Sequence, residues 1–219
     1  MWATVDAYHL DGSRVPQFYG KWPFVRFAGV QEPASMVFSL LNALCHLSIV
    51  LYRSKVPSST PLYYVWHGMA LVGVITWLCA AIFHTRETPL TEKLDYFSAF
   101  ALVLYNIFTL TCRVIGTDFK FPIALAALWL IICYCYHIYY LSFVLFDYGY
   151  NMMMNVSAGL LALLSLELGD FPPLWWILDA HALWHAGTVP MTLLWYSFII
   201  DDALHEKSPD GRGDVKKMV

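Results

Sequence analysis

A chain of 219 residues that is 59% hydrophobic and 13% charged does not read as a protein dissolved in water, since soluble globular domains carry roughly 25% charged residues. Its formal net charge of -3 leaves no basic surface and excludes nucleic acid as a partner. The five cysteines, Cys45, Cys79, Cys112, Cys133 and Cys135, all lie in apolar runs without the even, loop-based spacing of a disulfide framework, and read as small buried hydrophobes.

Residues 1–34 read as a lumenal, interfacial segment. Pro16, Pro23 and Pro33 break it, and Trp2, Phe18, Tyr19, Trp22 and Phe24 suit rings lying at a membrane surface. Its first stretch lacks the apolar core of a signal peptide, so targeting is expected from a removed leader or from the first membrane helix. A spanning helix needs about 20 mostly apolar residues. Five segments qualify, 34–52, 62–84, 94–112, 121–146 and 174–200, and a sixth, 151–168, is barely long enough. The connectors RSKVPSSTP, TRETPLTEK, RVIGTDFKF, DYGYN and GDFPP are short and rich in turn residues. The predicted fold is therefore all-α, a polytopic membrane helix bundle over 35–200, followed by a cytosolic tail over 201–219.

Lys and Arg in short loops mark the cytosolic side. Arg53 and Lys55 follow the first span, and Arg113 and Lys120 lie between the third and fourth. These two loops are expected in the cytosol, with the N-terminus and the loop around Arg86 and Lys93 on the lumenal side. Lys216 and Lys217, near Val219, have the form of a di-lysine retrieval signal if that is the true C-terminus; a frayed basic tail is the other reading.

An ionisable side chain at the centre of a span costs about 2.5–3.5 kcal/mol on insertion scales, so each needs a reason to be there. His181 and His185 are four apart, share one helix face and can bind one metal from one side. His84 ends the second predicted helix and Asp95 begins the third. Three imidazoles and a water complete a tetrahedral catalytic zinc site. Spacing alone leaves a second reading open, in which each histidine is hydrogen-bonded to a neighbouring helix and Asp95 favours a helix N-terminus through the macrodipole. His46, His67 and His137 have no partner at useful spacing and read as core or interface residues. The aromatic run CYCYHIYY over 133–140 reads as helix packing or an interface belt.

The strings VPQFYGKWPFVR (15–26), QEPAS (31–35), FHTRETPLTEKLDYF (83–97), FDYGYN (146–151), DFPPLWWILDAHALWH (170–185) and SFIIDDAL (197–204) resemble the GPI-specific phospholipase A2 family, the post-GPI-attachment remodelling factors. That family is placed with alkaline ceramidases and adiponectin receptors in the CREST superfamily of seven-helix membrane proteins with an intramembrane zinc. The resemblance implies Zn2+ held by His84, His181 and His185, with Asp95 as the acid that handles the proton of the attacking water. It implies hydrolysis of the sn-2 acyl ester of a GPI anchor in an endoplasmic reticulum or Golgi membrane, with the site towards the lumen. GPI-anchored proteins and membrane phospholipid would be the substrates. A ceramidase-like amidase, a receptor in which zinc is structural, and a non-catalytic lipid-binding scaffold are the rival readings.

Three departures from the resemblance stand out. Ala80 occupies the position of the superfamily's serine, one turn before His84, and a methyl donates no hydrogen bond; the change is either a natural impairment or a replacement made to trap a substrate complex. The family's leader and Cys-rich lumenal stretch do not precede Met1. Between DYGYN and DFPP the family has room for two helices and a loop where this chain has one marginal helix. A stretch on the order of 30 residues is accordingly expected to be missing between Asn151 and Asp170, unless 151–168 is re-entrant.

Overall fold

Two prolines open the helices that frame one end of the molecule. Pro33 and Pro89 each stand in the first turn of a helix, where the missing N–H would have no intrahelical partner and the fixed φ is already helical. Thr88 completes the second start with a capping box to Thr91, satisfying two amides that would otherwise be orphaned. The computed structural model describes residues 6, 8–10, 12, 15, 22–116, 118–158 and 172–207. In chain order the helices are α1 (Pro33–His46), α2 (Ile49–Lys55), α3 (Tyr63–Thr85), α4 (Pro89–Ile115), α5 (Lys120–Tyr139) continued by a π-turn (Tyr140–Val144), α6 (Tyr148–Ala158) and α7 (Ala180–Lys207). Among the described residues there is no β-strand, only two isolated bridges that close turns, Phe27 with Val30 and Leu174 with Leu178. The all-α membrane bundle expected from hydropathy is the fold.

Four helical segments are long and apolar enough to cross a bilayer: Pro33–Lys55, Tyr63–Thr85, Pro89–Ile115 and Lys120–Val144. The first, predicted as one rod over 34–52, is broken. The amides of Leu47 and Ser48 bond back to Leu44 and Cys45, the tight three-residue spacing that ends an α-helical turn, and α2 restarts at Ile49. The last predicted span, 174–200, is displaced to Ala180–Lys207, because the bridge from Leu174 to Leu178 and the left-handed backbone of Trp175 and Trp176 (φ 51° and 62°) make a turn there. At 28 residues α7 is long enough to cross, but it carries His181, His185, Asp201 and Asp202 and does not reach the apolarity of the other four. Of the predicted span 151–168, residues 151–158 belong to α6, and 159–168 lie outside the described residues.

α3 is the central element, packed on α1 along one side and α4 along the other; α1 also packs on α7, and α5 and α6 lie on α4. Gly73 makes the first contact possible, since a Cβ there would run into the His46 ring, and Gly68 does the same for Tyr105 of α4. Small residues let membrane helices approach in this way. The largest apolar core, including Tyr52, Trp66, Met69, Cys112, Tyr196 and Ile199, joins α2, α3, α4 and α7, towards the end that carries Arg113. There Arg113 donates from Nε and Nη2 to both carboxylate oxygens of Asp202, at 2.8 and 2.7 Å. α5 is the outermost long helix, His137 being its buried residue. Cysteine burial follows from these positions: Cys45 and Cys112 are buried as expected, Cys79 and Cys133 are partly exposed, and Cys135 on the outermost helix α5 is exposed.

The start of α1, the end of α3 and the starts of α4 and α7 meet at the opposite end of the bundle. α6 starts there too, since Phe146 stacks on Tyr96 of α4 at 5.5 Å and Tyr148 lies beside the same ring. α6 and α7 thus both start at this end of the bundle. The stretch expected to be missing lies between Asn151 and Asp170, where 159–170 are outside the described residues, as are Lys216 and Lys217.

Candidate metal centre

The last turn of α3 delivers His84. Carbonyls at a helix C-terminus lack intrahelical partners, and here the chain ahead of α1 supplies them: the amide of Gln31 donates to Thr85 O at 3.1 Å and that of Glu32 to His84 O at 3.0 Å. The first turns of α7 deliver the other two histidines. Asp179 caps this helix, its Oδ1 accepting the Ala182 amide at 2.8 Å, and His181 and His185 follow one turn apart on one face. Asn42, fully buried on α1, donates to the His185 carbonyl at 2.9 Å and to Phe38 O at 3.0 Å, fixing α7 against α1 at the level of the site.

These elements bring the Nε2 atoms of the three rings together. The separations are 3.1 Å for His84 and His185, 3.4 Å for His84 and His181, and 2.9 Å for His181 and His185. Four-coordinate zinc with Zn–N of about 2.0–2.1 Å requires ligand nitrogens about 3.3 Å apart. Nδ1 of His84 lies 2.7 Å from Glu32 Oε2, and a carboxylate accepts only, so Nδ1 carries the proton and Nε2 presents a lone pair. A lone pair aimed at two other ring nitrogens is a cation-ready arrangement, and the donor set fits zinc. His84 and His185 are 2% and 3% exposed. Trp77 meets the His185 ring edge-on at 5.2 Å, and Trp184 lies nearly parallel to His181 at 6.0 Å. Burial pushes the Asp179 carboxyl above the ordinary carboxylate range, opposed by the Ala182 amide and His181.

The structure thus assembles His84, His181 and His185 and leaves Asp95 out of the ligand group. Asp95 stands in the second turn of α4, half-buried, its carbonyl accepting Ser98 Oγ at 3.1 Å. Ala80 is 4% exposed and sits in a wall with Ala43, Trp77 and Trp184. His46 meets Tyr196 Oη through Nδ1 at 3.1 Å, His67 Nδ1 pairs with Tyr63 O at 2.7 Å, and His137 is packed on Phe100 with ring centres 4.2 Å apart. Glu32, Asn42 and Asp179 are the site residues that sequence reasoning missed. The only signal for Glu32 and Asp179 was their place inside the strings QEPAS and DFPPLWWILDAHALWH.

Fold and site together define an all-helical, multi-pass membrane protein with a buried three-histidine cluster, at one end of its bundle, able to take a metal ion. The model of the Per1-like family matches residues 1–165 and 158–203, and the chain belongs to that family. It is 44% identical over 236 residues to a zebrafish (Danio rerio) protein named GPI-specific phospholipase A2-like PGAP3, covering 94% of this chain and 75% of that one. To the Homo sapiens protein of the same name it is 40% identical, covering 94% and 74%. A Drosophila melanogaster protein named Post-GPI attachment to proteins factor 3 is 38% identical, covering 91% and 71%. The alignment with the Xenopus laevis relative is 249 positions long and takes in all of this 219-residue chain, so about 30 of its positions have no counterpart here. The two stretches matched by the family model meet at 158–165. No solved structure is matched by the chain.

Proposed function

We propose that this protein remodels GPI anchors as a zinc-dependent hydrolase, cleaving the sn-2 acyl ester of the GPI phosphatidylinositol to leave a lyso-GPI-anchored protein and a fatty acid. The observation that carries the reading is the convergence of His84, His181 and His185 Nε2 within ligand distance in a chain whose relatives are named for GPI lipid chemistry. Zinc held there supplies Lewis-acid chemistry and makes water nucleophilic at neutral pH. The three imidazoles orient the metal, the Trp77 and Trp184 rings keep bulk water from it, and Asp95 moves the proton that water gives up to the departing alcohol. Depth suits the substrate, because the ester of a diacyl lipid lies just below the headgroups and a site at the end of the bundle reaches it without extracting the lipid. The endoplasmic reticulum or Golgi membrane, with the site facing the lumen, is the proposed address.

A second reading has an observation of its own. Ala80 places a methyl in the wall beside the cluster, where a hydroxyl would serve as a donor, and this favours a protein that binds the lipid without cleaving it. One experiment addresses both. A GPI-anchored protein is incubated in mixed micelles with the chain as given, with Ala80→Ser and with His84→Ala, and the anchor lipid is followed by mass spectrometry. Loss of a single acyl chain that is accelerated by Ala80→Ser and absent with His84→Ala is the expected result. Full retention of both acyl chains with every form overturns the hydrolase reading and leaves lipid binding.

A further inference from the structure

We infer that Glu32 is a positioning residue for the histidine cluster: its carboxylate accepts a hydrogen bond from the Nδ1–H of His84, locks that ring with Nε2 aimed at His181 and His185, and so sets how tightly the cluster holds a metal ion. This deepens the zinc reading above and rests on it.

Glu32 is the residue immediately before α1, at the N-cap position, with φ -128° and ψ 79° and no capping hydrogen bond from its side chain. A carboxylate at that position would ordinarily turn back onto its own helix, where free amides and the positive end of the dipole stabilise it. Here it turns away, onto a ring belonging to α3. The side chain of Glu32 is 18% exposed and that of His84 1%, so the contact lies largely out of water, where a carboxylate needs a hydrogen-bonded partner.

The backbone makes the approach rigid independently of the side chain. Gln31 and Glu32 donate their amides to Thr85 and His84 carbonyls, and the Gln31 side-chain oxygen accepts the Glu87 amide. Pro33 then starts α1 with its φ fixed. Residues 31 and 32 are therefore clamped to 85 and 84 by main-chain bonds and to Glu87 by the Gln31 side chain, none of which involves the Glu32 side chain. A carboxylate held in this way on the non-ligating nitrogen of a metal histidine fixes tautomer and orientation and raises the basicity of the ligating nitrogen, and its loss typically costs 10–100-fold in metal affinity.

Zinc affinity and zinc release, measured on the purified full chain in detergent by chelator competition, test the inference without reference to activity. Glu32→Ala is expected to bind zinc about 10–100-fold more weakly, while thermal unfolding of the metal-free protein stays close to that of the parent. Glu32→Gln, nearly isosteric and still able to accept a hydrogen bond from Nδ1–H but without charge, should fall between the parent and Glu32→Ala. Zinc affinity within twofold of the parent for both variants, with binding abolished by His84→Ala, overturns the role of Glu32 and leaves the zinc site standing. A parent chain that binds zinc no better than His84→Ala overturns the zinc site itself. If Glu32→Ala does not fold, the isosteric Glu32→Gln decides by the same criteria.

Discussion

At Ala80 the side chain that catalysis would ask for and the side chain present differ by one oxygen atom. A serine there has two places for its hydroxyl: back onto the Thr76 carbonyl of its own helix, as Ser and Thr do in helices, or out towards the His84 level one turn on. A single positioned donor to a developing oxyanion is worth roughly 10²–10³ in rate. Ala80→Ser is therefore expected to raise ester hydrolysis by about that factor if the hydroxyl reaches the site, and acyl release measured by mass spectrometry reads it directly. Asp95 is outside the ligand group, which separates its effect from metal binding. Asp95→Ala should abolish acyl release with zinc content unchanged by elemental analysis; loss of zinc would instead make Asp95 part of the metal's support.

Among the helices, α1 and α3 are held at two levels. Glu32 and His84 join their site ends, and further along His46 fits over Gly73 and reaches Tyr196 Oη on α7. Gly73→Ala puts a methyl where the His46 ring lies, so ring and helix must move together. Overpacking of this kind typically costs about 1–3 kcal/mol, and a lowered unfolding temperature of the detergent-solubilised protein is the expected reading. The α4–α7 pair is different in kind. Arg113 and Asp202 form a two-point bond, but their side chains are 41% and 21% exposed, so water and salt screen it. Asp202→Ala should cost at most about 1 kcal/mol, an unfolding shift smaller than that of Gly73→Ala and one that shrinks further as salt is raised.

For the molecule as a whole, orientation and chain continuity are linked by parity. The site end gathers the starts of α1, α4, α6 and α7, while Arg53, Lys55 and Arg113 end helices that run away from it. The excess of Lys and Arg belongs in the cytosol, so the site end is proposed as lumenal. A glycosylation acceptor introduced between Arg86 and Thr88 should be modified in microsomes and one between Pro57 and Thr60 should not; the reverse pattern would turn the molecule over. α6 and α7 both start at the site end. About 30 positions of the alignment with the Xenopus laevis relative have no counterpart in this chain, and the proposed account is that one further crossing and its loop are missing between α6 and α7, since two full crossings would need about 40 apolar residues.

Hydropathy is a sum over neighbouring residues, so the sequence by itself determined an all-helical membrane protein and the approximate place of its long apolar segments. Helical periodicity is equally local, and it put His181 and His185 on one face. Where competing local terms were close, the sequence missed: the break at Leu47–Ser48 and the turn at Leu174–Leu178 lie inside apolar runs that read as continuous helix, and backbone hydrogen bonding outweighs hydropathy there. Which helix ends would share a site was a matter for the tertiary structure, because His84 and His181 are 97 residues apart and no local property carries that pairing except the family resemblance. The partner of His84 was decided there too. Glu32 lies 52 residues from it in sequence, and only the packing of α1 on α3, with residues 31–32 closing the carbonyl end of α3, brings this acid onto the ring.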